Sequence, residues 1–218
     1  MNSVIIVAGG TGSRMQSQTP KQFELLHGKP VIVYSIEKFL SFDKNIQIII
    51  AVAPEYFSLI ESFQKKFDLP EITLTNGGET RFHSVKNGLQ KANEKTTIVA
   101  VHDAARPLVS LQTIKNTFNA AAKYKAAVPV IEMNESLREI SGQNSKAIDR
   151  KNYRVVQTPQ CFEKDVLLKA YAQSYNASFT DDATVVEAAG QIIHLTEGNV
   201  ENIKITYPRD LILANSLL

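Results

Sequence analysis

The chain has 218 residues, 44% of them hydrophobic, enough for one large domain with a sizeable core. Its formal net charge is +2, from 24 Lys+Arg against 22 Asp+Glu, so no global field selects nucleic acid or an anionic membrane as a partner and any basic site must be local. A single cysteine, Cys161, excludes an intrachain disulfide and fits a reducing compartment, with the thiol expected as a small packed residue.

Residues 4–7, Val-Ile-Ile-Val, are the first expected strand. The amino-terminal residues lack the charged region and A-x-A-like cleavage site of a leader, and the apolar run is far too short to span a bilayer, so a cytoplasmic location is expected. The strand runs into Ala8-Gly9-Gly10-Thr11-Gly12-Ser13-Arg14-Met15, and Pro20-Lys21-Gln22 follows. Glycines let main-chain N–H groups approach a phosphate, and Arg14 and Lys21 place two cations beside them. The alternative is a tight strand-to-helix turn that binds nothing.

Further strands are expected at 46–52, 72–75, 98–101 and 128–131, continuous apolar runs that suggest burial on both faces. Helices are expected at 31–42 behind Pro30, 55–67 behind Pro54, 81–92 and 111–124. This β-α-β alternation predicts a Rossmann-like, mostly parallel sheet flanked by helices, with ligands beyond the carboxyl ends of the strands. Asn76-Gly-Gly-Glu-Thr-Arg81 and His102-Asp-Ala-Ala-Arg-Pro107 follow strands and share that rim with the glycine loop. Thr80 or Glu79 is the expected start of the third helix.

The pattern breaks at 132–152, a polar stretch whose short alternations at 136–140 and 147–149 flank a turn. A protruding β-hairpin is expected; standing alone it is marginal in water, and a second copy of the chain is the economical thing for it to pack on. Beyond it, strands are expected at 153–158, 191–195 and 203–206, and helices at 164–175, 182–189 and 209–217, all within a single domain spanning 1–218. His27, His83 and His194 are scattered without metal spacing, and His102 reads as packing.

Two familiar phosphate loops fail on particular residues. A dinucleotide-binding G-x-G-x-x-G/A turn would have glycine or alanine where Met15 stands, and an acid at the tip of the second strand, which instead ends Val52-Ala53-Pro54. The only Gly-Lys pair, Gly28-Lys29, leads into Pro30 rather than Ser or Thr, so no Walker A loop is present. What remains, "AGGTGSRM" followed by "PKQ", resembles the start of sugar-nucleotide pyrophosphorylase-type nucleotidyltransferases. With "GGETRFHSV", "VHDAARP", "VQTPQCF", "TDDATVVE" and "NIKITYPRDL" in order, the chain resembles the 2-C-methyl-D-erythritol 4-phosphate cytidylyltransferases of the non-mevalonate isoprenoid route over nearly its whole length.

The resemblance implies cytidylyl transfer from CTP to 2-C-methyl-D-erythritol 4-phosphate, with ribitol 5-phosphate as the alternative acceptor and CTP binding without turnover as a further alternative. It implies that Arg14 and Lys21 stabilise the transition state while Ala8, Gly9, Gly10 and Gly12 approach the triphosphate. Gly77, Gly78, Arg81, Ser84 and Ala104 would meet the nucleoside, and Asp103, Arg106, Thr158 and Lys204 the acceptor; Asp103 and Arg106 could instead simply pair with each other. Arg150 and Ser136 would come from a hairpin arm reaching into a homodimer partner, although Glu132-Met-Asn-Glu-Ser136 departs from the usual pattern. Mg²⁺ is implied with CTP, its protein ligands unspecified. A phosphate monoester is already a nucleophile near neutral pH, in keeping with the lack of a Ser/His/Asp or Cys/His set.

Overall fold

The computed structural model describes residues 1–10, 15 and 19–218. Gly12 and Arg14 lie outside the described residues. In chain order the elements are β1 (Asn2–Val7), β2 (Leu25–Leu26), β3 (Lys29–Pro30), α1 (Val31–Phe42), β4 (Gln47–Val52), α2 (Phe57–Lys66), β5 (Ile72–Asn76), α3 (Arg81–Leu89), β6 (Ile98–Asp103) and α4 (Leu111–Tyr124). There follow β7 (Ala126–Glu132), β8 (Leu137–Ser141), β9 (Asn144–Ile148), β10 (Arg154–Val156), β11 (Gln160–Glu163), α5 (Lys164–Tyr171), α6 (Asp182–Ala188), β12 (His194–Glu197) and α7 (Pro208–Leu217).

The main sheet runs β10-β7-β11-β6-β1-β4-β5, with β12 also paired to β7. β1, β4, β5 and β6 are mutually parallel where they pair, whereas β10 and β11 join antiparallel. Successive side chains leave a strand on opposite faces, and the packing follows that rule. Val4, Ile6, Ile48, Ile50 and Ala100 enter a core with Ile32, Ile36 and Phe39 of α1, Ile60 of α2 and Ile114 and Phe118 of α4. Ile5, Ile49, Val99 and Val101 enter a second core with Phe82, Val85 and Leu89 of α3, Leu167 of α5 and Val185 and Val186 of α6. Two buried faces account for strands that read as unbroken apolar runs.

Helix starts follow local chemistry. Pro30 precedes α1 and Pro208 opens α7, where a missing N–H leaves no intrahelical bond unmade. Ser110 caps α4 by accepting from Thr113 N–H at 3.0 Å, and Thr80, rather than Glu79, caps α3 by accepting from His83 N–H at 3.5 Å. Met15, where a dinucleotide loop would have its last glycine or alanine, is buried against Leu26, Ala105, Ile205 and Ala214.

Three expectations need correction. Residues 203–206 form no strand: Ile205 N–H bonds the Ala105 carbonyl at 2.9 Å, but the N–H groups of Thr206 and Tyr207 both go to the Asp210 carboxylate at 2.8 Å, so no ladder continues. The strand expected at 191–195 lies at His194–Glu197, and the one at 153–158 stops at Val156. β11 was not anticipated; four residues of mixed polarity become a central strand because β6 and β7 flank them. β8 and β9 form a hairpin apart from the main sheet, with every residue of both strands exposed or half-buried.

Candidate active site

Parallel register brings the loop-bearing strand ends together. Val7 lies opposite both Ala51 and Asp103, and Val52 opposite Asn76. The ladder continues one step into the loops through Ala8 N–H to the Ala51 carbonyl at 2.9 Å, Gly77 N–H to Val52 at 2.8 Å and Ala104 N–H to Val7 at 3.1 Å. At this rim lies a cleft of about 360 Å³. Ala8, Gly9, Gly10, Lys21 and Gln22 form one wall, Gly78 to Arg81 with Ser84 a second, and Asp103, Ala104, Ala105 and Lys204 a third.

The glycine wall is held from behind by a residue that sequence reasoning assigned no role. Gln22, 3% exposed, donates from its side-chain amide to the Ala8 carbonyl at 2.6 Å and reaches the Gly10 carbonyl at 3.5 Å. A glutamine directly after Lys21 was the available signal. On the second wall, Ser84 Oγ accepts from Gly78 N–H at 2.9 Å and donates to the Thr80 carbonyl at 3.1 Å, closing that loop onto the first turn of α3. A Cβ at Gly78 would stand 2.8 Å from the main-chain carbon of His83 and 3.0 Å from Ser84 N, so the loop must move to accept one. Gly78→Ala is therefore expected to destabilise this wall of the cleft by about 1–3 kcal/mol, measured by urea unfolding.

Electrostatically the cleft centres on Asp103. Its carboxylate meets Lys204 Nζ at 2.8 Å, Arg81 Nε at 3.4 Å and Arg106 Nε at 3.5 Å, with 11% of the side chain exposed. Burial by itself would raise this carboxyl's pKa, but Arg81, Lys204 and Arg106 outweigh it and hold the group well below the usual carboxylate range. Burial likewise works against the charge of Arg81, yet Asp182 and Asp103 more than offset it and keep the guanidinium protonated. Arg106 does pair with Asp103, but not exclusively, since its Nη1 donates to the Asn202 carbonyl at 2.7 Å.

The sequence of this chain matches the family profile described as 2-C-methyl-D-erythritol 4-phosphate cytidylyltransferase over residues 2–218. A protein of that name from Bacteroides thetaiotaomicron is 45% identical over 217 residues, covering 99% of each chain. Among solved structures, the 2-C-methyl-D-erythritol 4-phosphate cytidylyltransferase of Francisella tularensis superposes with a TM-score of 0.81 at 32% identity, over 100% of this chain and 99% of that one. Its counterpart from Thermus thermophilus gives 0.80 at 31% identity, over 99% and 97%. The chain belongs to the 2-C-methyl-D-erythritol 4-phosphate cytidylyltransferase family.

In this cytidylyltransferase-family chain, Ala8, Gly9, Gly10, Lys21, Gly78, Arg81, Ser84, Asp103, Ala104 and Lys204 all meet at one cleft. Lys204 points into it while Ile203 and Ile205 pack the other way, an alternation that survives without a strand. Ser136 and Arg150 are not brought there within one chain. Both are exposed, and the Arg150 guanidinium donates to the Asn134 carbonyl beside a separate groove that includes Lys151 and Arg154. Among the described residues no cluster of three or more His, Cys, Asp or Glu side chains could cage a metal ion, and the Asp103 carboxylate is already paired with Lys204 and Arg81.

Thr158 is 5% exposed and stands behind Asp103: its hydroxyl accepts from Asp103 N–H at 3.1 Å and lies 3.0 Å from His102 Nδ1. His102 Nε2 lies 3.1 Å from the Arg106 carbonyl. One neutral tautomer satisfies all of these, with Nε2–H donating to Arg106 and Nδ1 accepting from Thr158. His102 is thus buried as expected, but it also braces the segment carrying Asp103 and Arg106. Burial lowers its pKa to about 4. A histidine near 6.5 when unfolded then takes up its proton more readily in the unfolded chain, so stability is lost as pH falls from about 6.5 to 4, by about 3 kcal/mol in all. Urea melts across that window should show the loss, and His102→Gln should flatten it.

Proposed function

We propose that the chain transfers a cytidylyl group from CTP to 2-C-methyl-D-erythritol 4-phosphate, giving 4-diphosphocytidyl-2-C-methyl-D-erythritol and pyrophosphate. The observation that carries the proposal is the rim cleft itself: glycine-lined main chain on two walls, and Lys21, Arg81 and Lys204 around it, with Asp103 as counter-charge to Arg81 and Lys204. A phosphate oxygen of the acceptor attacks the α-phosphorus, the bond from that phosphorus to the bridging oxygen of the β-phosphate breaks, and pyrophosphate leaves. Both partners are anions, so catalysis consists mainly of offsetting repulsion, holding the line of attack and stabilising the charge that gathers on phosphoryl oxygens.

Lys21, together with Arg14, is assigned to the triphosphate and its transition state. Ala8, Gly9, Gly10 and Gly12 give main-chain access. Gly78, Arg81, Ser84 and Ala104 are assigned to the nucleoside, for glycine-exposed carbonyls can accept from the cytosine amino group, which uracil lacks. Asp103 is assigned to acceptor hydroxyls and Lys204 to the attacking phosphate, with Arg106 and Thr158 holding Asp103 in place. Magnesium is proposed to arrive on the triphosphate with phosphate oxygens and water as ligands.

Arg150 and Ser136 are proposed to reach the cleft of a second copy through the β8–β9 arm in a homodimer. The arm and the strand after it leave Ile140 68%, Tyr153 45% and Val156 40% exposed, apolar surface that a second subunit would cover. Mixing the Lys21→Gln and Arg150→Ala chains tests the shared site. A mixed dimer holds one intact site, so random exchange should restore roughly a quarter of wild-type activity; none restored removes the trans arrangement. A cytoplasmic location belongs to the same reading, supported by a buried, unpaired Cys161.

The deciding experiment supplies labelled CTP with each polyol phosphate in turn. Pyrophosphate and labelled diphosphocytidyl product should appear with methylerythritol phosphate. Product with ribitol 5-phosphate alone would replace the acceptor, and CTP binding without turnover on either would replace transfer by binding.

A further inference from the structure

Arg81 stands between two carboxylates. Its Nε faces Asp103 Oδ1 at 3.4 Å on the cleft side, and its Nη2 meets Asp182 Oδ2 at 2.7 Å on the far side. Asp182 is fully buried, whereas 26% of the Arg81 side chain is exposed. Among the described residues, Nη2 of Arg81 and Oδ2 of Asp182 have no hydrogen-bond partner besides one another, so each charge is compensated at that end by the other.

The position of Asp182 is set by groups that do not line the cleft. Its other oxygen, Oδ1, accepts from the Tyr171 hydroxyl at 2.6 Å. The Tyr171 ring stacks on Phe82, the residue after Arg81, at 4.7 Å between centroids. Gln160 of β11 pins the start of α6, donating to Asp181 Oδ2 at 2.7 Å and accepting from Ala183 N–H at 2.9 Å. Tyr171 therefore bonds the Asp182 carboxylate directly, and the central strand fixes the residues on either side of it.

From this we infer that Asp182, held by Tyr171, is the positioning residue for Arg81. It anchors one edge of the guanidinium, so that only Nε approaches Asp103 and the second oxygen of that carboxylate stays with Lys204 at 2.8 Å. An unanchored Arg81 can turn both donors onto Asp103 as a bidentate pair, displacing Lys204 and withdrawing the guanidinium from the nucleoside side of the cleft. Asp182 thereby sets the division of labour between the nucleotide cation and the acceptor cation without touching either substrate.

The inference rests on the cleft being the CTP site, and the test separates the two. CTP affinity is measured by calorimetry, and KM and kcat by pyrophosphate release, for wild type, Asp182→Asn, Tyr171→Phe, Arg81→Lys and each of the first two combined with Arg81→Lys. Wild type that binds no CTP ends the proposed function. With wild type binding, Asp182→Asn should weaken CTP about tenfold or more and Tyr171→Phe about threefold, and each effect should disappear in the Arg81→Lys background. A purely structural loss would lower melting temperature yet add to the Arg81→Lys effect, and that additivity overturns the inference. Should Asp182→Asn fail to fold, Tyr171→Phe decides: threefold weakening that Arg81→Lys abolishes supports the assignment, and unchanged affinity overturns it.

Discussion

Lys21→Gln is expected to lower kcat for cytidylyl transfer by about 10²–10³-fold, the usual consequence of removing one donor aimed at charge that develops in the transition state. The backbone of Lys21 is held by its neighbours: Phe23 is buried against Tyr56, 4.9 Å between ring centroids, and Gln22 bonds the Ala8 carbonyl at 2.6 Å. Changing the ammonium to an amide leaves these two anchors intact, so the main chain at Lys21 should stay in place while turnover collapses. Lys21→Arg should recover only part of the rate, because a planar fork does not reproduce a compact point charge. Single-turnover rates at saturating CTP measure this directly. Undiminished turnover in a variant neutral at both Arg14 and Lys21 would falsify the electrostatic mechanism.

Asp103→Asn is expected to harm both stability and activity. Three cations within 3.5 Å of one carboxylate lose a counter-charge together, Arg81 alone keeping a second one in Asp182, and stripping one partner from a buried ion pair costs about 3–5 kcal/mol. For a chain of this size that corresponds to a fall in melting temperature of roughly 6–20 °C. The sign with pH follows from the depressed pKa of the wild-type carboxyl. Its stabilisation is fully present above the ordinary carboxylate value near 4 and is lost as pH falls below it. The gap between wild type and Asp103→Asn should therefore be widest near neutrality and narrow below about pH 4, a window lower than that of His102. A gap constant from pH 7 to pH 3 would mean that the three cations do not depend on this carboxylate.

Fold class was legible because burial on two faces imposes a composition. Val-Ile-Ile-Val and Ile-Ile-Ile-Ala-Val are apolar at successive positions, and only a sheet covered on both sides takes up such runs. The rim loops were legible as candidates, since glycines after a strand with cations beside them suit a phosphate, although a turn that binds nothing also uses such glycines. Gln22 and His102 were visible without a purpose, because their partners are carbonyls and a hydroxyl that the fold alone brings near. Asp182 lies 101 positions beyond Arg81 and is brought to it by the packing of α3, α5, α6 and β11. No local periodicity carries that information.

Residue type and spacing by themselves settled the β-α-β alternation and most helix starts, for each is a local pattern; an ordered series of motifs carried the resemblance to the family to which the chain belongs. Tertiary structure decided which polar groups meet. β11 is a strand because β6 and β7 lie on either side of it, 203–206 is not one because Asp210 takes its N–H groups, and Asp103 is ionised because three cations converge on it. Hydrogen bonds and ion pairs act over a few ångströms in space, so their partners are fixed by sheet order and register rather than by distance along the chain.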